Sequence, residues 1–320
     1  MTEMNDNSKW HWQTGRAWYG IGIYHVTLTV PSREPLLGKL IIPENDPKKA
    51  VVARTELGDR ITEEALRINR YYPEIRVIQH CLMPDHLHVI YYVTEPMDKS
   101  IKSVIRGLWQ GVKKIERAYI EENSEKTDGE RIFTEVPFIR PMSRTGQLQT
   151  MIRYVQMNPE RLATKHLMPE YFRVQNGIEI AGRKYCGVGN ADLLQRANYM
   201  PVHVRWTMVD EAEHGDNTRL RNYMNSCVLA ARKGAVMVSP FISKQEQAVM
   251  VVLLKEGLPF IYIADNGFRD YYKPQDSLFD AVGRKQVLIL SPWEYDPHKK
   301  HVSRAECVEM NKMAEEIAQI

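Results

Sequence analysis

A chain of 320 residues that is 43% apolar and 26% charged has the make-up of a soluble globular protein with room for two ordinary domains, which excludes a disordered chain. Its formal net charge of +3 is too small to demonstrate a polyanionic partner. The longest apolar runs, such as AVMVVLLKEG at 248–257, fall short of the roughly 20 residues that span a bilayer. The polar amino terminus MTEMNDNSKWHWQ has no signal-peptide apolar region, so a cytoplasmic protein without a membrane partner is expected. Cys81, Cys186, Cys227 and Cys307 form no CxxC pair. That spacing argues against a disulfide framework or a zinc ribbon and fits small buried apolar residues.

In chain order, the β-branched, alternating stretch GIYHVTLTVPS from Gly22 predicts a strand, and DRITEEALRINRYYPE carries apolar residues at helical spacing. IRVIQHCLMP and HLHVIYYV predict two strands meeting at an MPD turn. MDKSIKSVIRGLWQGVKKIERAYI (97–120) predicts a basic helix, with Lys99, Lys102, Arg106, Lys113, Lys114 and Arg117 against Asp98 and Glu116, and with Trp109 and Tyr119 interleaved. That composition suits a phosphate backbone, and it equally suits a solvated amphipathic helix. After the polar loop EENSEKTDGE comes an extended RIFTEVPFIRP. TGQLQTMIRYVQMNPERLATKH then predicts a helix, supported by Leu148, Ile152, Val155 and Leu162 and interrupted or ended near Pro159. The order β, α, β, β, α, β, α predicts an α+β first domain, a ferredoxin-like split βαβ sheet with one extra helix.

From about residue 180 the pattern changes. AGRKYCGVGN reads as a glycine-bearing connector, and RLRNYMNSCVLAARKG as a helix. GAVMVSPFIS is a nearly uninterrupted apolar strand. SKQEQAVMVVLLKEG is a helix opened by a capping box from Ser243 to Glu246 and closed by Gly257. LPFIYIAD and KQVLILSPW add two more apolar strands. Buried strands alternating with helices predict a small parallel α/β domain. The expected organisation is a tail over 1–17, a first domain over 18–175, a connector over 176–200 and an accessory domain over 201–320.

Two residues apart on a strand, His86 and His88 of MPDHLHVI point to one face while Leu87 and Val89 turn to the other. Two adjacent imidazoles can hold one metal, although an HxH pair is weak evidence alone. Tyr154 and Asn158 of MIRYVQMNPERL are four apart on a helix and share a face, with Arg153 and Arg161 nearby. Asn158 can supply a neutral oxygen, and with two neutral imidazoles it leaves a divalent cation its full charge and several open positions. Such a site suits a phosphate, with Tyr154 as the attacking nucleophile. Only about 0.1% of an ordinary tyrosine is ionised at pH 7, so a metal's field or a base must assist it.

MPDHLHVI followed by RYVQMNPER resembles the HUH single-tyrosine transposases, most closely their REP-associated branch, over about 18–175. The resemblance implies that His86, His88 and Asn158 bind Mg2+ or Mn2+ and that Tyr154 forms a 5′-phosphotyrosine bond with single-stranded DNA. Insertion-sequence members have glutamine where Asn158 stands, whereas the REP-associated members are similar to this chain in having asparagine. The resemblance further implies cleavage and rejoining without a nucleotide, and recognition of DNA hairpins beside the cut. Arg106, Trp109, Lys113, Lys114, Arg153 and Arg161 are the candidate DNA-binding residues, and a homodimer with the tyrosine acting in trans stays open. His25 stands where the family often has histidine and reads as structural. Tyr91 and Tyr92 follow His88 too closely on the strand to serve as nucleophiles.

In the accessory domain, GAVMVSPFIS and GRKQVLILSPW weakly resemble the Rossmann-like DprA/Smf fold. Ligands of open α/β sheets sit at the carboxyl ends of strands, which would place Ser239, Ser243 and Ser291 near any site. No GxGxxG or Walker motif supports a nucleotide cofactor. A DNA-binding or scaffolding role is expected there, and His298 and His301 of PHKKH read as solvated. Two other readings remain open for the whole chain. One is a nicking enzyme of the replication-initiator or relaxase type. The other is a non-catalytic RRM-like module in which Tyr91, Tyr92 and His88 stack on bases.

Overall fold

The computed structural model describes residues 18–123, 131–144 and 146–320. The expected tail over 1–17 and most of the EENSEKTDGE loop lie outside the described residues. The chain is α+β and divides into two compact units, Met1–Ala163 and Thr164–Ile320.

The first unit runs β1 (Gly22–Thr29), β2 (Gly38–Ile41), β3 (Val51–Arg54), α1 (Glu56–Leu66), α2 (Ile68–Tyr71), β4 (Ile75–Met83), β5 (His86–Val93), α3 (Ile101–Glu122), β6 (Phe138–Met142) and α4 (Gln147–Leu167), the division falling within α4. Strands β4, β5, β1 and β6 form, in that order, a fully antiparallel sheet. Alternation along the strands gives the sheet two unlike faces. On one, Tyr24, Val26 and Leu28 of β1 and Leu87, Val89 and Tyr91 of β5 join Ile61 of α1 and Val104, Ile105, Leu108 and Val112 of α3 in a single core. The other face carries His25 and Thr27 of β1, His86 and His88 of β5, and Phe138 and Arg140 of β6, which the cross-strand register aligns.

Local signals explain the element ends. The Thr55 hydroxyl accepts from Gly58 N at the start of α1, and Ser100 does the same for Ser103 N at α3. Helix α4 runs through Pro159 rather than stopping there; proline removes one backbone donor, and the packed face on either side, with Val155 and Ala163 buried, holds the helix across it. The β2–β3 pair escapes the sequence pattern because both strands are four residues long and largely exposed, so neither shows alternation.

The second unit runs α5 (Pro169–Phe172), β7 (Gln175–Ile180), β8 (Arg183–Gly189), β9 (Tyr199–Pro201), α6 (Trp206–Glu213), α7 (Thr218–Arg232), β10 (Val236–Ser239), α8 (Lys244–Glu256), β11 (Phe260–Ile263), α9 (Asp276–Gly283), β12 (Val287–Ser291) and α10 (Arg304–Ile317). Its sheet has the order β7-β8-β12-β11-β10-β9. The last four of these are mutually parallel, and β8 pairs antiparallel with both β12 and β7. Successive residues feed two cores: Met237, Phe260, Val287 and Ile289 one, Val236, Val238, Ile261 and Leu288 the other. Burial on both faces is why these strands are uninterrupted apolar runs. The capping box of α8 is formed at both of its hydrogen bonds, and Gly257 ends the helix at φ 70°.

Residues 176–200, expected as a connector, instead contribute most of β7, all of β8 and part of β9 to this sheet. The two-residue turn between β7 and β8 is Ala181-Gly182, with φ of 48° and 76°. Both positive values belong to a type I′ hairpin, and alanine at the first position conceals the usual Asn-Gly signal.

Candidate active site

The β4–β5 turn fixes the approach to the histidine pair. Val30 N donates to Asp85 O at 2.8 Å and Leu37 N to Pro84 O at 2.9 Å, so the turn is tied to the chain leaving β1. The Asp85 carboxylate meets His86 Nδ1 at 2.6 Å and accepts from Arg33 Nη1 at 3.0 Å. Burial works to raise the Asp85 carboxyl, but its bonds and charge contacts with His86 and Arg33 outweigh that and hold it below the usual range. Engaged at Nδ1, His86 offers its Nε2 as the nitrogen for a metal, the carboxylate–histidine arrangement that orients metal ligands elsewhere.

His88 is buried, 5% exposed, and its Nδ1 lies 2.9 Å from His25 Nε2 and 3.0 Å from Thr27 Oγ1. Thr27 Oγ1 is also 3.4 Å from His25 Nε2. These three side chains form a closed triangle on one face of the sheet. Burial, with the Arg140 and His86 charges, pushes His25 down to about 4, so its ring is neutral at pH 7 and one of its nitrogens is an acceptor. His25, expected to be structural, therefore stands directly behind the inner histidine. The signal that could have found it is the antiparallel pairing of the YHVT strand with HLHV, which sets Thr27 opposite His88.

Helix α4 completes the cluster. The Tyr154 ring centroid is 5.7 Å from that of His88, and His88 is 4.6 Å from His86. The Arg161 guanidinium sits 5.7 Å from the Tyr154 ring and is 7% exposed. Asn158, one turn beyond Tyr154, is also 7% exposed, and its Nδ2 has no hydrogen-bond partner. Which end of a carboxamide carries oxygen is an assignment, and turning this one over would put a carbonyl oxygen at that buried point. Among the described residues no group of three or more His, Cys, Asp or Glu side chains is arranged for a metal. For a cation, His86, His88 and Asn158 would supply two imidazoles and one amide. These residues fit that donor set, with each histidine's Nδ1 already engaged.

The proposed DNA contacts divide by face. Trp109 is 3% exposed, and its Nε1 donates to Glu135 O at 2.9 Å; it is a core residue and is corrected from a base-stacking candidate. Arg106, Lys113 and Lys114 are on α3, which covers the core face of the sheet, opposite to the histidines. Their spacing is that of an amphipathic helix whose polar side is solvated. Arg153 is exposed, its Nε donating to Met157 Sδ at 3.4 Å, and Arg161 comes against Tyr154. Tyr91 is fully buried with its hydroxyl donating to Ala65 O, which removes it from any stacking surface.

In the second unit, Ser239 is buried and bonds Val202 O and Phe241 N, Ser243 caps α8, and Ser291 accepts from Trp293 N. All three serve backbone geometry. A cavity of about 650 Å³ beyond the ends of β10 and β11 is lined instead by Phe241, Tyr262, Phe268, Arg269 and Tyr272. His298 and His301 are exposed. Among the described residues no helix is long and apolar enough to cross a membrane.

No protein-family model and no curated protein matches the chain. Three solved structures are similar to parts of it. The REP-associated tyrosine transposase bound to a REP hairpin is 16% identical, with 46% of this chain and 72% of that one covered at a TM-score of 0.32. A candidate transposase from Deinococcus radiodurans R1 is 15% identical, with 45% and 95% covered at 0.27. DNA processing protein A from Streptococcus pneumoniae is 18% identical, with 55% and 61% covered at 0.32. These are the two groups that the motifs of the first unit and the strand segments of the second resemble.

Proposed function

We propose that the chain is a metal-dependent transposase of the HUH single-tyrosine type, cleaving and rejoining single-stranded DNA through a 5′-phosphotyrosine. On this reading the βαββαβ succession of the first unit is a ferredoxin-like split βαβ fold, and the second unit is a Rossmann-like accessory domain. The observation that carries the reading is the 5.7 Å approach of Tyr154 to His88 within one chain. The contact brings a half-buried phenol against a buried imidazole from a strand far away in the sequence.

His86, His88 and Asn158 would hold Mg2+ or Mn2+, the imidazoles favouring the manganese end of that choice. When bound, the cation supplies Lewis-acid polarisation of the phosphoryl oxygens. Tyr154 Oη attacks the phosphorus in line, its proton passing to solvent, and the P–O3′ bond breaks, the leaving 3′-oxygen taking a proton from solvent to become a 3′-hydroxyl. Attack of a 3′-hydroxyl on the phosphotyrosine reverses the step, so one phosphoester replaces another and no nucleotide is consumed. Arg161 presents its charge to the same phosphate.

The test is a labelled hairpin oligonucleotide with a single-stranded flank, taken from the DNA beside the gene. A covalent protein–DNA species that survives denaturant is expected with Mg2+ or Mn2+ and absent with chelator. Attachment persisting in Tyr154→Phe overturns the assignment of the nucleophile. A nicking enzyme of the replication-initiator type would form the same bond without needing short inverted repeats at the gene's ends.

A further inference from the structure

The edge of the sheet next to the histidines carries an exposed aromatic and a cation that the cleavage chemistry does not use. Phe138 is 53% exposed on β6, the edge strand beside β1. Thr27 pairs with His88 on one side and with Phe138 on the other, so one row across three strands reads His88, Thr27, Phe138 on a single face. The next row reads Ile90, His25, Arg140. Arg140 is exposed, and its charge is felt at His25. No position that β1, β4, β5 or β6 contributes to this face is an aspartate or glutamate. The neighbouring Ile139 points the other way and is fully buried, so the strand turns its polar-facing side outward with a large apolar ring on it.

We propose that Phe138 and Arg140 form a single-strand subsite, in which the Phe138 ring stacks on an unpaired base of the flank and Arg140 takes an adjoining phosphate. The inference rests on reading His86, His88 and Tyr154 as the strand-cleaving centre. Two strand spacings separate Phe138 from His88, about 10 Å, which an unstacked strand covers in roughly two nucleotides. The subsite thus holds the flank within reach of the cut and sets which side of it is gripped. Every base has a face to stack, so the grip tolerates sequence variation. The strand positions of this face carry no carboxylate, which matches a polyanion rather than a basic peptide.

The experiment places 2-aminopurine singly along the single-stranded flank of the hairpin and follows its fluorescence on binding to the full chain in chelator, where no cleavage intervenes. Wild type is expected to quench the probe at a position close to the cut. Phe138→Ala is expected to abolish that quenching and to weaken flank binding by about 5- to 100-fold, while Phe138→Trp retains both. Arg140→Gln is expected to lower the slope of log affinity against log salt by about 0.7. Quenching unchanged in Phe138→Ala, or absent in wild type at every position, overturns the subsite. The two readings fail separately: quenching that depends on Phe138 with no Tyr154-dependent adduct under either metal sinks the cleavage reading alone. An adduct whose yield and flank affinity ignore Phe138 sinks the subsite alone.

Discussion

His25 Nε2 lies 2.9 Å from His88 Nδ1, across the β1–β5 pairing and with Thr27 Oγ1 beside both. If a metal takes Nε2 of His88, its Nδ1 carries the proton and donates to a neutral His25, which fixes both tautomer and ring plane. His25→Ala is therefore expected to reduce Mn2+ affinity by about 10- to 100-fold, with His25→Gln retaining part of it. Titration of the protein with Mn2+, followed by the electron paramagnetic resonance of the free ion, measures this without reference to activity. Equal affinity in wild type and His25→Ala would show that His25 serves packing only.

Glu116 offers a test of the scaffold beneath the site. It is 6% exposed on α3, and its Oε1 accepts from Ile132 N at 2.7 Å and from Phe133 N at 3.0 Å. Glu116→Ala leaves two buried donors without their acceptor, so a loss of about 2–4 kcal/mol is expected, against a smaller loss in Glu116→Gln, whose carbonyl still accepts. Urea unfolding of the first unit measures it, and a change below ~0.5 kcal/mol would mean that the backbone donors find water.

Glu116 also marks where the sequence misleads. In the composition of 97–120 it is one acidic residue against a basic helix, whereas in three dimensions it is a buried strut for the segment leading into β6. Periodicity placed α3, α4, α8 and the parallel strands β10, β11 and β12 because each has a continuous apolar stripe or run. It also put His86 with His88, and Tyr154 with Asn158, on common faces. What it could not supply was the cross-strand register, which alone brings His25 behind His88 and Phe138 into their row. Trp109 shows the converse error, since a tryptophan among lysines on a helix has the same composition whether it faces DNA or the core. The Ala181-Gly182 hairpin was hidden because glycines suggest a linker until their φ values are known.

Lys299 and Glu306 give an acid-sensitive contact in the second unit. Bonds from Lys299 and from the Ser303 backbone hold the Glu306 carboxyl down at about 2, below its ordinary value, so the charged form is the one that the fold favours. The sign follows: the contribution is present above the ordinary glutamate pKa of about 4.3 and fades as pH falls towards 2. The amino-terminal turn of α10 should thus gain faster amide exchange between pH 4 and 2, and Glu306→Gln should exchange faster at pH 7 with less further change on acidification. Identical pH profiles in both proteins would refute the contact's role.

On the proposed reading, the approach of Tyr154 to His88 of its own chain gives each molecule a whole constellation. Mixing Tyr154→Phe protein with His88→Ala protein should then yield no covalent attachment, since the first lacks the nucleophile and the second a ligand. If the tyrosine instead served a partner's histidines, a mixed dimer would unite an intact pair with an intact tyrosine and recover up to about half of one site per dimer on statistical grounds. Subunit exchange must be demonstrated in the same mixture, by labelled chains, so that silence reports geometry and not failure to mix. Recovered attachment would move α4 to the neighbouring molecule's site during catalysis. The Phe138 subsite would then be tested again in the mixed species, where only the chain with intact histidines needs the ring.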